Sequence, residues 1–197
     1  MTEEQIIEGC RKFSKDAQKA LYEKYVSTFR AICRRYTADT QNANDILHDC
    51  FIKIFTKFDQ FTGNGSFEGW MKRIIINACI SWCRDRNTGD QFLKVDEIKD
   101  DSIYEEETDT AEECNDVQST ILNANFTKEE IQQAVELLPE GYKMVFFLYV
   151  FENYKHNEIA RELNIDVNTS KSQLSRARKL LQKKLMELCQ TRVMVTS

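Results

Sequence analysis

His48, Asp49 and Cys50 are consecutive, and an imidazole, a carboxylate and a thiol are the parts from which a nucleophilic site is built. On a helix three successive side chains point in three directions, so this trio cannot converge on one substrate. No other nucleophile, base and orienting group fall together, and the sequence predicts a protein that is not an enzyme. Metal chemistry fares no better. The seven cysteines are an odd number scattered without a CxxC pair; only Cys79 and Cys83 lie one helical turn apart, and the only histidines are His48 and His156. Zinc sites draw on tighter paired ligands, so neither a metal nor another cofactor is expected. The cysteines read as reduced thiols of a reducing compartment.

The chemistry that the residues do support is recognition by surfaces. In HNEIARELNIDVNTSKSQLSRARKLLQKKL, a short helix with Ile159, Ala160 and Leu163 inside is followed by the turn Asn164-Ile165-Asp166. A second helix then runs with Leu174, Ala177, Leu181, Leu185 and Leu188 as its inner stripe. This is helix-turn-helix spacing. The outer side presents Asn168, Thr169, Lys171, Ser172, Gln173, Ser175, Arg176 and Lys179 near the helix start, where side chains of a recognition helix meet base edges and backbone amides meet phosphate.

A second surface lies between Asn42 and Phe58. Leu47, Phe51, Ile54, Phe55 and Phe58 make one apolar helical face, and the neighbouring stripe carries Asp45, His48, Asp49 and Ile52. Asp45 and Asp49 are one turn apart, an acidic pair with a basic residue at helical spacing, Lys53, only on the C-terminal side of Asp49. The stripe is a solvated acidic face or a docking surface for a basic partner. After it, DQFTGNGSF breaks the helix; Gly63 and Gly65 supply the turn and Ser66 can cap the next helix. In FEGWMKRIIINACISWCRDR, Ile75, Ile76, Cys79 and Trp82 are expected inside, with Lys72, Arg73, Asn77, Arg84 and Arg86 outside. Phe61, Phe67 and Trp70 beside these cations either pack a core or stack unpaired bases.

The elements that position these surfaces are helices throughout. One proline, six glycines and 42% hydrophobic residues over 197 positions leave little room for a β-sandwich or a glycine-rich phosphate loop. Tyr22, Tyr25, Phe29 and Tyr36 recur at helical spacing in Ala20 to Tyr36. Thr127-x-x-Glu130 is a capping box opening a helix that ends at Leu138-Pro139, and Tyr142 to Phe151 is nearly all apolar, as a buried middle helix would be. The net charge of −5 is uneven: residues 1–86 carry +3, residues 87–126 carry −10 and residues 127–197 carry +2. The middle piece, with DEIKDDSIYEEETDTAEECND, has too little apolar content to bury a core and reads as a flexible acidic linker. The fold class is therefore all-α, two small helical domains (1–86 and 127–197) around that linker. The charge-free apolar runs, Ile74 to Cys83 and Met144 to Phe151, are far short of the roughly 20 apolar residues of a membrane span. With acids in MTEEQIIEGC where a signal peptide is basic, a cytoplasmic protein with no membrane insertion is expected.

Together, in this order and spacing, ALYEKY and NANDILHDCFIKIF, then FTGNGSFEGWMKRIIINACISWCRDR, then LPEGYKMVFFLYVFENYKHNEIARELNIDVNTSKSQLSRARKLL resemble the extracytoplasmic-function (ECF, group IV) RNA polymerase sigma factors of the sigma-70 superfamily over nearly the whole chain. The resemblance implies a region 2 bundle in 1–86, a region 4 helix-turn-helix in 127–197, and an initiation factor that gives core polymerase its promoter specificity. Asp45, His48, Asp49, Ile52 and Lys53 would dock on the polymerase clamp helices. The loop with Phe61, Asn64 and Ser66, with Phe67, Trp70, Lys72, Arg73 and Asn77 beside it, would capture a minus-ten base flipped from melted promoter DNA. Asn168, Thr169, Lys171, Ser172, Gln173, Ser175, Arg176 and Lys179 would enter the major groove of double-stranded DNA at minus thirty-five. The linker would thread toward the polymerase channels, and an anti-sigma factor is an implied partner.

The chain departs from the family pattern at two places. The recognition helix opens with Asn168-Thr169-Ser170-Lys171-Ser172-Gln173 where Gly-Thr-Val-Lys-Ser-Arg is frequent, which bears on the bases read rather than on the docking mode. His48 stands where glutamine is common. Two other classes of function compete: a sigma mimic that sequesters an anti-sigma factor without binding DNA, and a stand-alone helix-turn-helix regulator. The first need not keep Lys171, Arg176, Arg178 and Lys179, and usually carries a receiver domain that does not fit this length. The second leaves the acidic helix and the glycine loop without a purpose.

Overall fold

The computed structural model describes residues 1–37, 39–86 and 126–195. The acidic stretch expected over 87–126 lies, Phe126 apart, outside the described residues. These hold eight α-helices, one short 3-10 helix and no strand, and the chain divides into two units, Met1–Gly89 and Asp90–Ser197.

The first unit is built from α1 (Glu3–Arg11), α2 (Lys15–Tyr36), α3 (Thr40–Thr56), a 3-10 turn (Phe58–Gln60) and α4 (Phe67–Arg86). Each α-helix opens on a side-chain cap of a type that supplies an oxygen to an orphan amide. Thr2 and Gln5 form a capping box for α1, Ser14 accepts from Ala17 N–H, and Asp39 accepts from Asn42 N–H. Ser66 Oγ accepts from Gly69 N–H at 3.2 Å, the cap expected from the sequence. The helices close over Leu21, Phe29, Leu47, Ile54, Met71, Ile75 and Ile76, all buried, each contributing about 1.5–3 kcal/mol of apolar burial. Close approach of α1 to α2 depends on Gly9: a Cβ there would stand 2.4 Å from that of Ala17. Glu3 fastens the same pair, accepting from Lys24 Nζ at 3.0 Å and from Tyr25 Oη at 2.9 Å.

The second unit runs α5 (Lys128–Glu136), α6 (Glu140–Val150), α7 (His156–Leu163) and α8 (Val167–Val195). The Thr127–Glu130 capping box is present, with Thr127 N–H donating to Glu130 Oε2 at 2.8 Å and Glu130 N–H to Thr127 Oγ1 at 3.2 Å. Pro139 stands just before α6, where a missing N–H costs nothing. Most of α6 is core, including Met144, Val145, Phe146, Phe147 and Leu148, but its end emerges: Val150 and Phe151 are exposed. The turn after α7 is made by Asn164 in the left-handed region (φ 56°, ψ 49°), a conformation that asparagine tolerates better than most residues. Ile159, Ala160, Leu163, Leu174, Ala177 and Leu185 are buried between α7, α8 and the rest of the unit, while Leu181 and Leu188 are half-buried. No helix among the described residues is long and apolar enough to cross a membrane.

Candidate nucleic-acid and polymerase interfaces

Helix α3 is divided cleanly between core and solvent. Ala43, Ile46, Leu47, Cys50, Phe51 and Ile54 are buried, while Asp45, His48, Asp49, Ile52 and Lys53 are all exposed. These five positions fall at steps of three, one, three and one, so they share one ridge. Ile52 is 60% exposed, which sets an apolar knob between two aspartates and a lysine. Asp45 accepts a hydrogen bond from Gln41 one turn earlier at 3.3 Å. The burial of Cys50 separates it from its neighbours His48 and Asp49, as the helical geometry requires.

The loop between α3 and α4 separates the two readings of its aromatic residues. Residues 62–66 are exposed, with Gly63 at φ 82° and Gly65 at φ 99°. Phe61 and Phe67, for which the sequence leaves core packing and base stacking both open, are buried at 6% and 2% exposure, on the core side of that choice. They form an aromatic floor with Phe58 and Trp70, ring centroids 5.0 Å apart for Phe61–Phe67, 5.5 Å for Phe58–Phe67 and Phe61–Trp70, and 5.9 Å for Phe67–Trp70. The reason is that the chain leaves the 3-10 turn and enters α4 through these two residues, so each end of the loop is sunk into the core. Of these four aromatic residues Trp70 alone is half-buried rather than buried. Asn64, Arg73 and Asn77 are exposed and Lys72 is half-buried. Ser66 is exposed, but its oxygen is engaged as the α4 cap.

A residue that sequence reasoning missed holds the start of this loop. Arg11 Nη2, at the end of α1, donates to the carbonyl oxygen of Phe61 at 2.9 Å. The bond spans fifty residues, and no local pattern marks that arginine out. Trp82 also differs from its expected inward position: it is half-buried, and the Arg86 guanidinium lies 4.9 Å from its ring centroid. A cation over an indole face is a stable surface arrangement.

Of the α8 residues expected to face the groove, Asn168, Lys171, Ser172, Ser175 and Lys179 are exposed, with Thr169 and Arg176 half-buried. The Ser172 hydroxyl donates back to the Thr169 carbonyl at 3.0 Å, leaving its oxygen to accept. Gln173 does not belong to this outer set: it is 4% exposed. It is adjacent to Leu174 and one turn before Ala177, so helical geometry carries it to the core side. Ser170 is fully buried, and its Oγ lies 2.9 Å from His156 Nδ1. The His156 ring stacks on Tyr149 at 4.8 Å and 27°, and the Arg178 guanidinium sits 5.6 Å from the Tyr149 centroid. Burial, and then the charges of Lys171 and Arg178, hold the imidazole pKa below its ordinary value.

Among the described residues no three His, Cys, Asp or Glu side chains are grouped as metal ligands would be. Cys79 and Cys83 are buried on α4. Cys50 is pushed up to about 12 and Cys10 to about 11 by burial, and Cys79 is raised by its hydrogen bond to Cys33 and by burial. Such thiols are poor nucleophiles.

Two helical units, one with a glycine loop over an aromatic floor and one with a helix-turn-helix, coincide with two family matches: Sigma-70 region 2 over residues 21–88 and Sigma-70, region 4 over residues 128–181. The chain belongs to the sigma-70 family, in its extracytoplasmic-function branch, and is a transcription initiation factor that directs RNA polymerase to promoters. It is 26% identical over 188 residues to the RNA polymerase sigma-H factor of Pseudomonas aeruginosa, covering 94% of this chain and 95% of the relative. It is 26% identical over 193 residues to the ECF RNA polymerase sigma factor SigW of Bacillus subtilis, covering 92% and 96%. The ECF RNA polymerase sigma-E factor of Escherichia coli is 23% identical over 188 residues, covering 95% and 96%. Among solved structures, the fold is similar to that of the sigma factor RpoE of Bartonella quintana in complex with the anti-sigma factor NepR. That match has a TM-score of 0.53 and 18% identity, over 85% of this chain and 96% of the other. It is also similar to CnrH in complex with the cytosolic domain of CnrY, with a TM-score of 0.51 and 16% identity, over 92% and 96%.

Proposed function

We propose that residues 1–86 and 127–197 work as two reading heads on one tether, residues 87–126, with the three surfaces above as their contacts. The α3 ridge of Asp45, His48, Asp49, Ile52 and Lys53 docks on the clamp helices of core polymerase, its carboxylates facing basic side chains and Ile52 filling an apolar gap. The 62–66 loop takes a minus-ten base out of the stack in melted DNA. Asn64 and Ser66 meet the base edge, Trp70 offers a ring edge, and Lys72, Arg73 and Asn77 hold the backbone; such contacts offset the few kcal/mol lost on unstacking. Phe61 and Phe67 support the loop from below rather than stack on bases. Asn168, Thr169, Lys171, Ser172, Ser175, Arg176 and Lys179 meet the minus-thirty-five duplex in the major groove.

The observation that carries this reading is the 62–66 loop: five exposed residues with two left-handed glycines, raised on a buried aromatic floor beside Lys72, Arg73 and Asn77. A merely structural turn does not require that platform. The protein is non-catalytic and acts in the cytoplasm, where its polymerase is. An anti-sigma factor is its regulator, in keeping with the complexes in which the RpoE and CnrH structures were solved.

Reconstituted transcription tests the whole reading. The protein and bacterial core polymerase are supplied with fragmented genomic DNA of the source organism, and RNA start sites are sequenced. Discrete starts sharing two upstream elements are expected, and Asp49→Arg is expected to lose core binding at least tenfold with helical content unchanged. Failure to bind core would overturn the reading in favour of a module that only engages an anti-sigma factor.

A further inference from the structure

We propose that His156 and Ser170 are a positioning pair that seats the recognition helix, setting base selectivity at minus thirty-five through the pose of α8 rather than through a base contact. The inference rests on the minus-thirty-five reading of α8 and deepens it.

Ser170 is fully buried in the first turn of α8. A buried hydroxyl with no partner costs about 1–3 kcal/mol. Here the cost is removed by His156, the first residue of α7, whose Nδ1 lies 2.9 Å from Ser170 Oγ. The imidazole is fixed in turn by its stack on Tyr149 of α6, and the Tyr149 ring carries Arg178 of α8 on it. The contacts therefore begin on α8 at Ser170, pass through α7 and α6, and return to α8 at Arg178. The two anchor points are eight residues apart, about 12 Å along the helix axis.

A rod gripped at two points along its length is fixed in tilt as well as in roll. Lys171, Ser172 and Ser175, exposed on α8, lie between the grips. Rolling α8 by about 20° moves a side-chain tip at a radius of about 5–6 Å by about 2 Å, which is enough to break a hydrogen bond whose usable range is about 0.5 Å. The charged groups facing the imidazole are Lys171 and Arg178 on α8; with Tyr149 of α6 they favour a neutral ring, which has one nitrogen able to accept the Ser170 proton.

The test uses holoenzyme assembled from the full chain and core polymerase. The probes are a promoter duplex from start-site mapping, the same duplex with each minus-thirty-five base replaced, and one with that element scrambled. The readout is the ratio of affinity for intact over scrambled duplex, which a change in folded fraction alone does not move. Ser170→Val and His156→Phe should each lower the ratio about five- to tenfold. The double variant should return to within about twofold of wild type, because deleting both partners leaves no orphaned polar group. His156→Asn, which keeps an amide near the Nδ1 position, should stay above His156→Phe. Single variants that weaken both duplexes equally, or a double variant equal to the sum of the singles, would overturn the pair. If Ser170→Val fails to fold, the Asn and Phe variants at His156 decide the matter, and equality between them counts against the pair. A wild-type holoenzyme indifferent to the scrambled element would instead overturn the minus-thirty-five reading itself, and the pair with it.

Discussion

Arg11 donates from Nη2 to the backbone oxygen of Phe61 across fifty residues, at 2.9 Å, so the first helix of the chain fastens the entrance of the 62–66 loop. The other end of that loop is held by the Ser66 cap on α4. Removing the guanidinium leaves the entrance held by the burial of Phe61 and by its N–H bond to the Phe58 carbonyl at 3.1 Å. A hydrogen bond from a charged group contributes about 1.5–3 kcal/mol when well shielded, and about 1 kcal/mol is reasonable at this part-exposed site. Arg11→Ala is expected to weaken binding of a single-stranded minus-ten oligonucleotide by holoenzyme about fivefold and to leave core binding as it was. Fluorescence anisotropy on both equilibria checks this, and equal loss in both would show general destabilisation instead.

Lys171 and Gln173 should part company when mutated, because one is exposed and the other buried. Each phosphate contact contributes about 0.9 to the slope of log affinity against log salt. Lys171→Ala should flatten the salt dependence of promoter binding by about that amount, with base preferences retained. Gln173→Ala should lower the unfolding free energy by about 1–2 kcal/mol, and leave the salt slope alone. Titrations between low and moderate salt, with urea melts, separate the two.

The pH dependence of the second unit follows from His156. Its folded pKa lies below its ordinary 6.5, so on acidification the unfolded chain takes up the proton first. Stability from this residue is complete above pH 6.5 and is lost as pH falls through that value toward the lower folded pKa. Urea melts from pH 8 to pH 5 should show declining stability on the acid side, and His156→Phe should flatten that part of the curve. A wild-type curve flat through this range would count against the burial of the ring beside Lys171 and Arg178.

Thiol chemistry should divide the cysteines by burial. Cys10, Cys33, Cys50, Cys79 and Cys83 are buried and Cys189 is half-exposed. In a Cys114→Ser variant, an aromatic disulfide reagent should titrate one fast thiol in the native protein and six in urea. Fast reaction of two or more native thiols would show that the core of the first unit opens readily.

Much of this molecule was legible because its signals are local. Thr127 with Glu130, Ser66 before α4, and the turn Asn164-Ile165-Asp166 act over a few residues, and the structure has each where the spacing implied. The α3 ridge was equally legible, since helical periodicity alone divides Leu47, Phe51 and Ile54 from Asp45, Asp49 and Ile52. What was not legible depends on contacts far apart in sequence. Phe61 and Phe67 lie beside basic residues, yet both are pulled under the loop by Phe58 and Trp70. Gln173 is polar and stands among exposed polar residues, yet its angular position sends it inward. The roles of Arg11 and of the His156–Ser170 pair come from partners fifty and fourteen residues away, which no window on the sequence joins.

The two glycines of the 62–66 loop have a further consequence. An added Cβ at Gly63 or Gly65 would meet nothing within 4 Å, so room is not what the loop demands there. Backbone angles of 82° and 99° are the mirror image of those that ordinary residues prefer, and the demand is one of handedness. The backbone angles favour a D-alanine installed by chemical ligation at either position, whereas an L-alanine is strained there. Because the D-residue also narrows the choices open to the unfolded chain, the stereochemically inverted loop should be stiffer than the natural one.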